Sequence, residues 1–327
     1  MADRSVKAPG VPLDSILYYM PSFGGNIVIG TLFEVVAIFI FINLILRRDL
    51  WGLCLPIGAL CQGLGFFLRV PLRNNPGSLG LYIVMDFFVV LSPACYFAFN
   101  YIWFGRLVQR IEEHMNFNLN RKHITFLPPK KFGKIFIISD VTTFFIQAAG
   151  GGLQASPSSK SLGSVIFLIG IIAQFASYIF FLILSLPFVR SLRGNSFDNY
   201  ARQRISQLLP VLYFSSFWII VRCVYRTVEL AQGYGGYLSR NEAWLFGLDA
   251  APLLLSIGVY IFAWPSAFVE LKTSPYAKSK SVPWEMGSKS VQLQWNENTR
   301  LNSTDSEQGF TYPMQQKDQD EKTNFIQ

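Results

Sequence analysis

Hydrophobic positions in this chain form long, nearly uninterrupted stretches, whereas a soluble domain shows short alternating or 3.6-residue patterns. Seven stretches reach the roughly 20 residues that an α-helix needs to cross a bilayer core of about 30 Å. Because the bilayer core holds no water to satisfy irregular backbone, the pattern predicts an all-α protein with seven membrane-spanning helices. The predicted spans are residues 24–46, 51–70, 79–104, 132–154, 162–189, 208–232 and 243–268.

Composition supports this interpretation and divides the chain. Of the 327 residues, 51% are hydrophobic and 15% are charged, against about 25% charged in an ordinary soluble domain. The pattern predicts a short extracellular segment over 1–17, a seven-helix domain over 18–268 and a disordered cytoplasmic tail over 269–327. The first segment lacks the features of a cleavable signal peptide, so the first span is expected to act as the targeting signal.

Orientation follows from the positions of lysine and arginine. The first, third and fifth loops and the tail hold 19 of these residues, whereas the N-terminal segment and the even loops hold five. By the positive-inside rule, the N-terminus is predicted outside and the C-terminus in the cytoplasm. The basic residues lie in loops and do not form one patch, so nucleic acid is not an expected partner. Trp51, Trp103 and Trp264 are predicted to form an aromatic belt at the cytoplasmic interface.

Charged residues lie inside the last two predicted helices. Arg222, Arg226 and Glu229 are spaced four and three residues apart, which places them within about 60° of one another on one helix face. Glu242 and Asp249 are seven residues apart and also share a face. Asp249 is about 9 Å from the outer helix end, level with Arg226, so the two are expected to meet. An intramembrane charge is a candidate functional group.

Further polar residues are predicted at similar depths in other helices. Asp86 lies about 9 Å from the outer end of its helix and Glu34 about 15 Å, while Arg69 ends the second helix. Asp140 is deeper, at about 21 Å, with Gln147 two turns above it on the same face. Together these positions predict a polar funnel that leads inward from the outer leaflet.

The predicted funnel contains more acid than base. Its acids are Glu34, Asp86, Asp140, Glu229 and Asp249, and its arginines are Arg69, Arg222 and Arg226. If all are ionised, two negative charges are left over, and they must be neutralised by protons or by a cationic ligand group. The hypothesis is that the acids recognise the protonated amine of an amphiphile, carry protons, or do both. The structural alternative is that the charged residues only hold helices together.

Several functions are disfavoured by what the chain lacks. The last span has no lysine for a retinal Schiff base, and no G-x-x-x-x-G-K-[ST] motif is present for ATP hydrolysis. The two histidines, His114 and His123, fall in one predicted cytoplasmic loop, and all four cysteines fall inside predicted spans. No metal, cofactor or catalytic site is therefore predicted, and an enzyme is not expected.

Combinations of residues resemble a known family. The chain resembles the fungal lipid-translocating exporters, the RTA-like proteins named for resistance to aminocholesterol, over roughly residues 18–268. Three features carry the resemblance: Asp140 through Gln147-Ala148-Ala149-Gly150-Gly151-Gly152, Arg222-x3-Arg226-x2-Glu229-x3-Gly233, and Glu242-x6-Asp249.

The resemblance implies a multi-pass protein, often of the plasma membrane, that exports or flips sphingoid long-chain bases and confers resistance to toxic amphiphiles. Lipid or amphiphilic substrate and the bilayer are the implied partners, and partners of the tail are unknown. This chain departs from the family pattern at Gln62, where a glutamate is expected, and at Phe66 and Phe246, where tyrosines are expected. These departures put a shared substrate in doubt. The alternative function is a seven-helix receptor or regulator that senses lipid asymmetry.

Overall fold

The computed structural model describes residues 17, 19–115, 129–154, 156, 158–194, 199–233 and 236–265. The chain divides into two units, Met1–Leu271 and Lys272–Gln327, and every described residue belongs to the first. The predicted segment 1–17, apart from Leu17, and the predicted tail 269–327 lie outside the described residues.

Seven helices, each long and apolar enough to cross a membrane, make up the described part of the chain, which contains no strand. Each one overlaps one predicted span, which confirms the all-α, seven-helix prediction. The helices are α1 Phe23–Arg47, α2 Cys54–Asn74, α3 Leu79–Met115, α4 Pro129–Leu153, α5 Lys160–Gly194, α6 Asn199–Ala231 and α7 Glu242–Phe262.

The helices form a closed arrangement in chain order. Each helix packs against the next along the chain, and α7 packs back against α1. α3 also contacts α5 and α7 across the interior through the side-chain amide of Asn100. Its Nδ2 donates to the Tyr178 hydroxyl of α5 at 2.8 Å, and its Oδ1 accepts from the Tyr260 hydroxyl of α7 at 2.8 Å. This buried network satisfies polar groups from three helices at the centre of the bundle.

α7 is not a uniform α-helix. It begins as an α-helical turn at Glu242–Trp244, continues as a π-helix at Leu245–Ala250 and returns to α-helix at Ala251–Phe262. The Ala251 amide donates to the Phe246 carbonyl, five residues back. Pro252 has no amide hydrogen for the Leu248 carbonyl, so a regular α-helical pattern could not be maintained here in any case.

Three helix bounds differ from the predicted spans by six residues or more. α3 continues to Met115 instead of ending at residue 104, and α6 begins at Asn199 instead of residue 208. α7 ends at Phe262 and not at residue 268, because Trp264 precedes Pro265, and proline disfavours the α conformation for the residue before it. Gly150 to Gly152 lie inside α4, which ends at Leu153, one residue from the predicted end.

Aromatic side chains fill the half of the bundle that is predicted to be cytoplasmic. Phe99 packs against Trp51, Tyr260 and Trp264 with ring centroids 4.8–5.8 Å apart. Trp103 and Trp264 are each only 1% exposed, so the prediction that they form an interfacial belt is wrong. Both belong to the hydrophobic core.

Candidate functional site

A buried ion cluster joins α6 to the π-helical segment of α7. The Asp249 carboxylate is fully buried and accepts from Arg222 Nε at 2.9 Å, from Arg226 Nε at 2.8 Å and from Arg226 Nη2 at 3.0 Å. Arg226 Nη1 also donates to Glu229 Oε2 at 3.1 Å, one turn along α6. The predicted meeting of Arg226 and Asp249 is confirmed, and two arginines are balanced by two acids.

A second ion cluster lies where the chain enters α1 and α7. Arg69 at the end of α2 pairs with Glu242 at 3.4 Å, and the Asn26 side chain donates to the same carboxylate at 2.7 Å. The Ser22 amide donates to the other Glu242 oxygen at 2.7 Å. Arg69 also donates to the Tyr19 hydroxyl, and burial raises the pKa of Tyr19, which keeps this hydroxyl neutral. The third arginine is therefore also matched by an acid.

A large cavity opens beside both clusters at the end of the bundle that is predicted to be extracellular. Its empty volume is about 1060 Å³, counting the space at its opening. Arg69, Asp86, Arg222, Arg226 and Glu229 all line it, so the structure brings together five of the residues predicted for the polar funnel. We call this space the main cavity.

A smaller cavity adjoins the main cavity between α3, α4 and α5. Its empty volume is about 440 Å³, and Gln147 and Asp86 line it. The Gln147 side chain is buried, and its Nε2 donates to the side-chain Oε1 of Gln174 in α5 at 2.9 Å. We call this space the α3–α4 cavity.

Asp86 differs from the other acids of the main cavity. Among the described residues, each ion pair within 4.0 Å involves Asp249, Glu229 or Glu242, and none involves Asp86. Asp86 lines both cavities. Since the three arginines already have acidic partners and Asp86 has none within 4.0 Å among the described residues, its negative charge, when the group is ionised, would be unmatched at the cavity wall.

Two predicted funnel residues lie elsewhere. Glu34 of α1 lies over Gly63 of α2, where any side chain at position 63 would clash with it, and it lines neither cavity. Asp140 is 3% exposed between α4 and neighbouring helices, near the hydroxyls of Tyr101 and Ser177, and neither of its carboxylate oxygens has a hydrogen bond of standard geometry. Both acids belong to helix packing contacts and not to the cavity.

The structure adds residues that the sequence analysis did not select. Tyr19 and Gln154 line the main cavity, and Asn26 holds Glu242. The tyrosine and glutamine lie at helix ends, where polar residues are ordinary, so the sequence carried no specific signal for them. Three residues depart from the family pattern. Phe66 lines the main cavity, and its ring centroid lies 6.2 Å from that of Phe246. Gln62 is fully buried, and neither polar atom of its side-chain amide has a hydrogen-bond partner.

Seven membrane-length helices around a charged internal cavity define a multi-pass integral membrane protein. The chain belongs to the family described as RTA1 like protein, which it matches over residues 55–272. No solved structure matches the chain.

The relatives that match the chain are fungal proteins. Protein RTM1 of Saccharomyces cerevisiae is 30% identical over 208 residues, which cover 62% of this chain and 64% of RTM1. The sphingoid long-chain base transporter RSB1 of the same species is 24% identical over 275 residues, covering 72% of this chain and 70% of RSB1. The probable lipid transporter atnI of Emericella nidulans is 25% identical over 265 residues, or 77% of this chain and 67% of atnI. The match thus spans less than two thirds of RTM1, and the relatives whose names give a function are named for transport or uptake.

Proposed function

We propose that this protein translocates or exports sphingoid long-chain bases or similar cationic amphiphiles, and so contributes to resistance against toxic amphiphiles. The observation that carries this proposal is the acid Asp86, which lines a cavity whose three arginines are already paired. Relatives named as lipid and long-chain base transporters support the choice of substrate.

The charge arrangement favours a cation over an anion in the main cavity. An anionic head group would compete with Asp249, Glu229 and Glu242 for arginines that are already bonded. A protonated amine would instead pair with Asp86, in a low-dielectric site where an unmatched charge is unfavourable. Asp86 is therefore the candidate binding residue for the amine. The two ion clusters stabilise the helices that surround the cavity.

Reconstituted protein provides the direct test. Purified protein in liposomes is expected to move a labelled long-chain base between leaflets, and not its N-acylated analogue, which has the same chain but no positive charge. Asp86→Asn removes the unmatched charge and is expected to reduce transport of the base about tenfold or more. Asp86→Glu keeps the charge and is expected to retain transport.

The same assay separates the proposal from the alternative of a lipid-sensing receptor. A receptor would bind the base without moving it, so liposomes with the wild-type protein would show no leaflet exchange above the lipid background. Equal transport by wild type and Asp86→Asn would remove the assigned role of Asp86.

We further propose that the protein acts at the plasma membrane, as the family resemblance implies. Expression in a yeast strain sensitive to phytosphingosine is expected to raise tolerance and efflux of the base. Fractionation of the same cells is expected to recover the protein with plasma-membrane markers. Recovery with internal membranes alone would contradict this location.

A further inference from the structure

The main cavity and the α3–α4 cavity share a common wall. Asp86 is the charged residue in this wall, and the other shared residues surround it on α3, α4 and α5. The residues that line both cavities are Tyr82, Asp86, Val90, Gln154 and Phe167. A ligand whose head group pairs with Asp86 would therefore lie next to both spaces.

Beyond the shared wall, the α3–α4 cavity is mainly apolar. Ile83, Phe87, Phe144 and Ala148 line it, and the rings of Phe87 and Phe144 meet edge to face with centroids 5.5 Å apart. Phe87 is 42% exposed on the lateral surface of the bundle, which is predicted to contact lipid. An apolar chamber with its rim on this surface suits a hydrocarbon chain better than a polar ligand.

Glycines in α4 leave this chamber open. A Cβ atom at Gly152 would meet nothing within 4 Å, and one at Gly151 would lie 3.9 Å from the Phe167 ring, an ordinary contact distance. At Gly150, by contrast, a Cβ atom would lie 2.5 Å from the Phe167 backbone nitrogen. Of these three glycines, helix packing thus requires only Gly150, whereas Gly151 and Gly152 line the α3–α4 cavity without a contact that demands glycine.

We propose that the α3–α4 cavity is the binding site for the hydrocarbon chain of a single-chain cationic amphiphile whose head group pairs with Asp86. The class of ligand rests on the proposed function, whereas the location of its chain rests on the shared wall and the apolar lining. The site separates the two parts of the ligand: the amine faces the charged main cavity, and the chain lies between α3 and α4.

Photocrosslinking tests the location independently of transport. The probe is a long-chain primary alkylamine with a diazirine at mid-chain, added to the full-length protein in lipid nanodiscs. The label is expected in α3 or α4, near Phe87 or Phe144, and excess unlabelled alkylamine is expected to suppress it. Gly151→Leu fills the chamber beside Phe167 and is expected to reduce labelling about fivefold or more.

Two further variants control for folding. Gly152→Leu adds a side chain at a second residue that lines the chamber, where a Cβ atom has no neighbour within 4 Å, and is expected to reduce labelling in the same way. Gly80→Leu, also without a neighbour within 4 Å and outside both cavities, is expected to label as wild type. Label found mainly in other helices, or unchanged labelling of both Gly151→Leu and Gly152→Leu, would overturn the proposed chain site.

Transport of the same alkylamine, measured in parallel, distinguishes the two proposals. If wild-type protein moves the amine while the label lies outside α3 and α4, the chain site is wrong and the proposed function stands. If the label lies in α3 or α4 and Gly151→Leu suppresses it, but wild-type protein moves no amine, the chain site stands and the translocator function is wrong.

Discussion

Asp249 and Asp140 are both buried aspartates, but only Asp249 has positively charged partners for its carboxylate. Asp249 accepts three hydrogen bonds from Arg222 and Arg226. Asp140 has no ion pair among the described residues and no donor in standard geometry on either oxygen. A charge at Asp249 is therefore required by its neighbours, whereas a charge at Asp140 is uncompensated.

Replacing Asp249 is expected to destabilise the protein strongly. Asp249→Asn keeps the size of the side chain but, among the described residues, leaves Arg222 without an ion pair and Arg226 paired with Glu229 alone. Breaking a buried pair costs about 3–5 kcal/mol. Thermal unfolding of the purified protein, followed by intrinsic tryptophan fluorescence, measures this loss.

Asp140→Asn provides the matched comparison. The amide has the same shape and removes a charge that no partner compensates, so stability is expected to stay unchanged or to rise at neutral pH. A loss of stability by Asp140→Asn as large as that of Asp249→Asn would contradict the difference drawn between these two sites.

For single residues, the sequence predicts the depth of a side chain along its helix better than the neighbouring helix that the side chain faces. Rise per residue and helical periodicity were sufficient to bring Arg226 to Asp249, because both lie near the end of a helix joined by a short connection. The same reasoning counted Glu34 and Asp140 with the funnel, since depth alone cannot tell which neighbour a helix face meets. The partner of Arg69 was missed because Glu242 was not counted among the buried acids.

Close contact between α4 and α5 is the clearest packing feature at the scale of the helix. A Cβ atom at Gly163 would lie 2.7 Å from the Gly150 carbonyl oxygen, and one at Gly170 would lie 2.6 Å from the Gln147 side chain. Small residues at such positions let two membrane helices approach and gain van der Waals contact. This close approach of the two helices places Gln147 and Phe167 in the walls of the cavities.

Gly150→Ala is expected to separate these helices. Its methyl group would meet the Phe167 backbone at 2.5 Å, and backbone cannot move aside as a flexible side chain can, so a cost of about 1–3 kcal/mol is expected from overpacking. A lower thermal unfolding temperature than wild type is the expected result.

The adjacent Gly152→Ala serves as control, because its methyl group has no neighbour within 4 Å. Alanine is also favoured over glycine in a helix by about 1 kcal/mol, so this variant is expected to be as stable as wild type or more stable. Equal effects of the two substitutions would show that contact with α5 does not set the requirement for glycine.

Helical periodicity did not predict the π-helical segment of α7. A period of 3.6 residues places Glu242 and Asp249 on one face, and no residue pattern between them indicates a wider turn. In the structure, the two acids join different clusters, one with Arg69 and one with Arg222 and Arg226. Pro252, inside the span, favours an irregular helix but does not specify its form.

The described bundle is asymmetric along its length. Charged residues and the main cavity occupy the end where α4 meets α5 and α6 meets α7, since Gln154, Ser164, Gly233 and Ser239 line the cavity. Packed aromatic rings lie towards the other end, where Asp49 accepts from the indoles of both Trp51 and Trp264. Translocation across the bilayer would therefore require this aromatic contact to open at another stage of the cycle.

Orientation decides which leaflet the main cavity faces, and cysteine accessibility measures it. Ser158, in the connection between α4 and α5, is exposed, and Leu50, in the connection between α1 and α2, is 72% exposed. The positions of lysine and arginine predict that the connection between α4 and α5 lies outside the cell. A membrane-impermeant maleimide is therefore expected to label Ser158→Cys in intact cells. Leu50→Cys is expected to react only after permeabilisation, and wild type reports any reaction of the four native cysteines. The reverse labelling pattern would turn the cavity towards the cytoplasm, and the protein would then take amphiphiles from the inner leaflet side.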